Sequence, residues 1–313
     1  MNFGIRLKAK ALRFFFDRIV LRKPAYAIDN VPATFNDEER FVPTPQGNMR
    51  TLFHWPRNAK STGTPIPAVV MFHGGGFVFG LPEHEADFCR RIAQNVGCVV
   101  INPDYVRSPE HPFPAAANQC YELVAWVARE AVALGIDPAR IAVGGHSAGG
   151  NLATVVAAQS LTKGFPKICC QILDYPFLDG STDPRDKPLP IPKPLITPEL
   201  ATLFNSCYMP EGTNARDSLL SPVYSELAAL SEHPPALVIT AEHDVLRDEA
   251  DRYAKMLQQA GVEVRHEVFP GVDHAFTHTG PKSSADAAWF LMEEYLRQTF
   301  SLHVLAEPIS SDI

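Results

Sequence analysis

From residue 66 onward the chain alternates short, β-branched apolar runs with longer stretches whose apolar positions recur at helical spacing. The runs "IPAVVMF" (66–72), "CVVINP" (98–103), "RIAVGGH" (140–146), "KICCQILDY" (167–175), "PALVITA" (235–241) and "VEVRHEVF" (262–269) predict strands. The intervening spacing predicts helices near 84–96, near 115–134, directly after Ser147, near 247–260 and near 284–298. Strand, helix, strand in this rhythm predicts an α/β fold, with a largely parallel sheet covered by helices on both faces. In such sheets the functional site lies beyond the carboxyl ends of the strands.

Two regions break the rhythm. Residues 1–45 read as helical and then irregular, and residues 177–225 are rich in proline and turn formers ("DPRDKPLPIPKPLITP") with one short helix near 198–208. Neither is large enough to bury a core of its own, so both are expected to pack on a main domain built from 46–176 and 226–313. The C-terminal "AEPISSDI" reads as a poorly ordered end.

The densest chemical signal is "GGHSAGGN", which places Ser147 in a G-x-S-x-G pattern between a strand and a helix. Glycines there let the backbone crowd together while the serine side chain is lifted at the head of the next helix. A serine hydroxyl is a weak nucleophile, and it needs a base, an acid that orients the base, and donors for a developing oxyanion. The chain supplies all three in order. "HGGGF" at 73–77 follows a strand and offers the amides of Gly75 and Gly76, which join that of Ala148. Asp244 follows the strand 235–241, with Asp248 and Glu242 as competitors, and His274 follows the strand 262–269. The order Ser, Asp, His is that of the α/β-hydrolase arrangement.

At this point the sequence closely resembles the hormone-sensitive lipase family of α/β-hydrolases, which includes many bacterial esterases and arylacetamide deacetylases. The resemblance rests on "HGGGF" at 73, "DYVRSPEHPFPAA" at 104, "GHSAGGNLA" at 145, "EHDVLRDE" at 242 and "GVDHAF" at 271, and spans roughly residues 45 to 300. It implies a sheet of about eight strands, Ser147 as nucleophile, Asp244 as orienting acid, His274 as general base and acid, and an oxyanion hole at Gly75 and Gly76. It also implies a helical cap over the site, formed by 1–45 and 177–225, and a homodimer through the sheet edge near 262–269. The chain departs from the family at His146, where Asp or Thr is usual, at Phe77, where Trp is frequent, and at Val106, Arg107 and Ser108 after "DY". Phe77, Phe79 and His146 are candidate substrate-pocket residues, although a solvated or packed neighbour of the serine is the preferred reading of His146.

The predicted activity is cofactor-free hydrolysis of short- to medium-chain carboxylic esters through an acyl-enzyme. Amide or acetyl-ester deacetylation would use the same residues. A non-catalytic small-molecule receptor of the same fold is disfavoured by the presence of His274. His73 reads as a brace of the glycine loop, and Asp104 and Glu110 as loop-holding carboxylates rather than a catalytic pair. The histidines at 266, 274 and 278 show no HExxH spacing, which predicts no metal.

Bulk properties narrow the partners. The 313 residues carry a net charge of −7 with no long run of like charge, so the electrostatic footprint of a nucleic-acid binder is missing. Six cysteines without a CxxC pair lie mostly in apolar runs and predict reduced core residues. Basic residues interrupt the first twenty positions throughout, which predicts no signal peptide, no membrane span and a cytoplasmic protein. That segment could also be read as an amphipathic membrane binder, but a cap helix is preferred.

Overall fold

A computed structural model describes residues 3–20, 25–29, 31, 35–57 and 63–306. All of the C-terminal "AEPISSDI" except Ala306 lies outside them. Eight strands form one sheet in the order β1-β2-β4-β3-β5-β6-β7-β8. These are β1 (Asn36–Thr44), β2 (Gly47–Trp55), β3 (Ile66–Phe72), β4 (Val99–Pro103), β5 (Ile136–His146), β6 (Gln171–Asp174), β7 (Ala236–Ala241) and β8 (Val264–Phe269). The hairpin β1–β2 is antiparallel and joins β4 antiparallel, while β3 to β8 run parallel. The helices are α1 (Phe3–Phe15), α2 (Ala86–Ile92), α3 (Ala115–Arg129), α4 (Ala131–Leu134), α5 (Ala148–Lys163), α6 (Pro198–Tyr208), α7 (Leu227–Leu230), α8 (Arg247–Gln259), α9 (Phe276–Thr279) and α10 (Lys282–Ala306).

The period-two alternation of a strand explains how one apolar run serves two cores. In β3, Ala68, Val70 and Phe72 pack with Leu123 and Val124 of α3, Leu152 and Val155 of α5, and Tyr253 and Leu257 of α8. Val69 and Met71 face the other way, into a core with Phe88 and Ile92 of α2 and Trp289, Met292 and Leu296 of α10. β7 divides likewise, Ala236 and Val238 on the first face, Leu237 and Ile239 on the second. Fully burying one such aliphatic side chain contributes about 1.5–3 kcal/mol, so both helical layers are held by the same strands. A buried ion pair also ties the second layer together, Arg91 donating to Glu293 Oε1 at 2.7 Å.

One sequence expectation is corrected here. Residues 36–44, read as irregular, form β1 at the sheet edge. The run "NDEERFVPT" buries only Val42, and its charged residues 37–40 alternate between exposed and half-buried positions, so an edge hairpin carries no apolar run to announce it.

The two irregular regions meet above the carboxyl ends of the strands. Ala9 and Ile5 of α1 pack with Leu203, Phe204 and Cys207 of α6 and with Val78 of the glycine loop. Helix α6 starts where the sequence predicted, at a Thr197 cap whose Oγ1 accepts the Leu200 amide at 3.3 Å, with Pro198 in its first turn. Charge fixes the N-terminal segment to the loops below: Asp17 Oδ1 accepts the Gly80 amide at 2.8 Å, and Arg13 donates to Glu110 at 2.8 Å and to the Ser108 carbonyl at 2.6 Å. The segment after β6 is anchored by Glu249 of α8, which accepts the Leu178 amide at 2.7 Å and pairs with Lys187.

Candidate active site

Strand β5 ends at His146 and α5 begins at Ala148, so the chain reverses at one residue. Ser147 takes φ 55° and ψ −115°, a conformation that costs a non-glycine residue of order 1–3 kcal/mol and is held by its surroundings. The Ser147 amide donates to the Asp174 carbonyl at 2.9 Å, and its carbonyl accepts the Phe177 and Asn151 amides at 3.1 Å. Glycine at 149 is required by the crossing of α5 over β3: a Cβ there would lie 1.9 Å from the Phe72 carbonyl oxygen. Gly75 is required twice over, by a φ of +118° and by the Phe79 carbonyl oxygen 2.1 Å from where its Cβ would stand.

Around this elbow the structure brings together the three residues expected from the sequence. Ser147, His274 and Asp244 are nearly excluded from solvent, at 9%, 5% and 4% exposure. A carboxylate can only accept, so the 2.7 Å contact between His274 Nδ1 and Asp244 Oδ2 places the imidazole proton on Nδ1. The Nε2 lone pair then faces the Ser147 hydroxyl at 2.9 Å. Asp244 is held in turn by the Leu246 amide, which donates to Oδ1 at 2.9 Å. Its two competitors lie elsewhere: Glu242 accepts the Gly271 amide at 2.7 Å, and Asp248 sits in the first turn of α8.

The glycine loop supplies donors. The Gly74 amide reaches Glu85 Oε1 at 3.3 Å, and those of Val78 and Phe79 close turns on the Gly75 carbonyl at 3.0 and 3.1 Å. Among the described residues, the amides of Gly75, Gly76 and Ala148 donate to no protein acceptor. His73 braces this loop: its Nδ1 donates to the Gly74 carbonyl at 2.8 Å, its ring stacks on Tyr105, and the Tyr105 hydroxyl donates to the His73 carbonyl at 2.8 Å. Burial holds the His73 pKa down at about 3, so the ring is neutral. Asp104 and Glu110 also act on the loops, Asp104 pairing with Arg107 at 3.2 Å and Glu110 with Arg13 at 2.8 Å.

Two cavities open at Ser147 and share Gly76, Ile196 and Phe204 as walls. The smaller, about 40 Å³, is lined by Phe77, Phe177, Ile196 and Leu246; the larger, about 260 Å³, by Phe16, Phe79, Phe88, His146 and His274. The three pocket candidates therefore divide, Phe77 on one side and Phe79 with His146 on the other. Phe77 is stacked on Tyr208, with 3.6 Å between ring centres.

His146 is not a solvated neighbour. It is 2% exposed, and its Nδ1 donates to Asp174 Oδ2 at 2.8 Å. Burial lowers its pKa, but the facing Glu85 and the Asp174 bond outweigh burial and raise it above the ordinary value. Glu85 shifts upward through burial, only partly offset by His146 and the Gly74 amide. His278, four residues past His274, does not reach Ser147; its Nδ1 lies 2.8 Å from the Tyr175 hydroxyl, and burial drives its pKa well down. Glu85 carried no sequence signal, because it meets His146 and His278 only through the fold. His266 stands apart, 3.0 Å from Asp251.

The chain is similar to known proteins. A family model described as "alpha/beta hydrolase fold" matches residues 69–278. Carboxylesterase NlhH of Mycobacterium tuberculosis is 34% identical over 232 residues, covering 72% of this chain and 70% of its own. Ethyl acetate hydrolase of Pseudomonas putida is 34% identical over 235 residues, covering 74% of this chain and 73% of its own. Among solved structures, a hyperthermophilic esterase from the archaeon Pyrobaculum calidifontis superposes with a TM-score of 0.83 at 36% identity, covering 93% of both chains. No helix among the described residues is long and apolar enough to cross a membrane. The chain belongs to the α/β-hydrolase-fold family of esterases and lipases.

Proposed function

We propose that Ser147, His274 and Asp244 carry the work of a serine carboxylesterase that hydrolyses short- to medium-chain carboxylic esters through an acyl-enzyme. The observation that carries this reading is the unbroken donor chain from the Ser147 hydroxyl through the imidazole to a buried carboxylate, at 2.9 and 2.7 Å. His274 Nε2 takes the hydroxyl proton as Oγ attacks the ester carbonyl, and Asp244 supports the imidazolium that forms. The tetrahedral oxyanion is received by the amides of Gly75, Gly76 and Ala148, which have no other acceptor among the described residues. His274 then protonates the leaving alcohol and activates the water that releases the acid. No step calls for a cofactor.

The cap belongs to the same reading. Helix α1, the turn that follows it and residues 177–225 close over the serine, and with "HGGGF" they support placement with the hormone-sensitive lipase type. A free edge at β8 is the surface on which a second copy would pair. Apolar walls and the small volume on the Phe77 side favour short acyl chains, as does similarity to an enzyme named for ethyl acetate. Initial rates on p-nitrophenyl esters from acetate to palmitate, with wild type beside Ser147→Ala, test this. Acetate to octanoate esters are cleaved far faster than palmitate and the alanine variant falls to background; a preference for palmitate overturns the chain-length assignment, and an unaffected variant overturns the nucleophile.

A further inference from the structure

The wall of the larger cavity carries a second set of convergent side chains that ester hydrolysis does not use. Glu85, His146 and His278 come from the turn before α2, the end of β5 and the short helix α9. One ligand atom from each lies within 4.8 Å of the others. His146 Nε2 is 3.8 Å from Glu85 Oε2, and His278 Nε2 is 3.8 Å from Glu85 Oε1. Glu85 Oε2 and both Nε2 atoms are buried without a hydrogen-bond partner among the described residues. Three buried polar atoms pointed at one another and satisfied by nothing are costly unless something positive stands between them.

The surrounding network fixes which lone pairs point inward. Asp174 can only accept, and it takes protons from His146 Nδ1 at 2.8 Å and from the Thr277 hydroxyl at 2.8 Å. The Thr277 proton being committed, its 2.6 Å contact with Tyr175 uses the tyrosine proton. The 2.8 Å contact between Tyr175 and His278 must then use a proton on His278 Nδ1. Both imidazoles are thereby set with Nδ1 protonated and Nε2 open toward Glu85. Ligand histidines whose far nitrogen donates to a carboxylate or another fixed acceptor are the usual outer support of a metal centre.

We propose that Glu85, His146 and His278 form a binding site for a divalent transition-metal ion, zinc foremost, beside the catalytic serine. Two imidazoles and one carboxylate match zinc sites that keep a fourth position open, with bonds of about 2.0–2.2 Å. Ligand atoms in a tetrahedron of that size stand about 3.4 Å apart; each imidazole is 3.8 Å from one Glu85 oxygen and the three ligand atoms lie within 4.8 Å of one another, so side-chain rotation has to draw the set together. The open position faces the cavity, where water or a substrate oxygen completes the shell. The six cysteines are all buried and offer no competing surface site. The missing HExxH spacing does not bear on this set, because its members come from three separate elements. The site stands independently of the esterase reading.

The test is direct metal binding. Untagged protein is stripped with chelator, dialysed and titrated with cobalt, following the visible absorption of low-coordinate cobalt and counting bound metal, and then zinc is added in competition. The site predicts one cobalt per chain, displaced by zinc, with affinity reduced at least tenfold in Glu85→Gln and in His278→Gln and unchanged in Ser147→Ala. Absence of stoichiometric uptake in wild type, or uptake unaltered in both ligand variants, overturns the metal site and leaves a cluster that holds only a proton. The readout is bound metal, so neither result bears on ester hydrolysis.

Discussion

Two histidine–carboxylate pairs stand at the carboxyl end of the sheet with nearly the same inner geometry. His274 meets Asp244 at 2.7 Å, and His146 meets Asp174 at 2.8 Å, each through Nδ1. They differ in what faces the other nitrogen. His274 Nε2 finds the Ser147 hydroxyl at 2.9 Å, whereas His146 Nε2 faces the Glu85 carboxylate at 3.8 Å with the His278 ring packed alongside. An imidazole–carboxylate pair is therefore no catalytic device by itself. A hydroxyl on the far side gives one pair a proton to take, and a carboxylate on the far side turns the other into a cation site.

The largest effect follows from removing the hydroxyl or its base. Ser147→Ala and His274→Ala each reduce kcat on p-nitrophenyl acetate by roughly 10⁴-fold or more, measured as initial rates at saturating ester. The equivalent cut in the two carboxylates separates the pairs. Asp244→Asn costs roughly 10³–10⁴-fold in kcat because the imidazole loses its fixed tautomer, while Asp174→Asn stays within about tenfold of wild type. Equal losses in both variants would erase the distinction drawn here.

A smaller effect sharpens it from the other side. Tyr175→Phe removes the hydroxyl that links Thr277 to His278, in a buried position. Urea unfolding should show a loss of about 1–3 kcal/mol, with kcat changed less than threefold because the hydroxyl bonds to no member of the Ser147 chain and phenylalanine keeps the ring that packs against His274.

The smallest effect is a tilt in stability against pH. Neutral His73, with its pKa depressed from 6.5 to about 3, contributes stability that is present above 6.5 and lost as pH falls from there toward 3. His146 is shifted the opposite way. In chelator-treated protein its contribution is full below 6.5 and lost as pH rises through its raised value. Melting temperatures from pH 4 to 9 should therefore show His73→Gln gaining on wild type toward acid, and His146→Gln losing most at acid and recovering toward alkali. Parallel profiles for the two variants would refute the opposed shifts.

What the sequence disclosed and what it hid follow the same physics. Strands β3, β4 and β7 are buried on both faces and carry apolar runs such as "PAVVMF", whereas the edge strand β8 is only half-buried and mixes Arg265, His266 and Glu267 with its apolar residues; the helices between them pack apolar side chains on the sheet. Ser147, Asp244 and His274 were legible because each stands in a turn signature after a strand the sequence predicts. The hairpin β1–β2 was not, since residues 37–40 place charges on an edge strand that needs only one dry face. Glu85 and His278 were illegible as a pair with His146 for a different reason. Their convergence depends on the turn before α2 and helix α9 bringing Glu85 and His278 to His146 at the end of β5, and the network that sets their tautomers runs through Tyr175 and Thr277, which carry no chemical signature of their own.

The most direct test of the nucleophile is covalent capture. Incubation with diethyl p-nitrophenyl phosphate should release one p-nitrophenolate per chain and leave a single diethylphosphoryl group, mapped by peptide mass spectrometry to Ser147, with the His274→Ala variant labelled far more slowly. An adduct on another residue, or an enzyme that keeps hydrolysing esters after Ser147 is fully modified, would contradict the account.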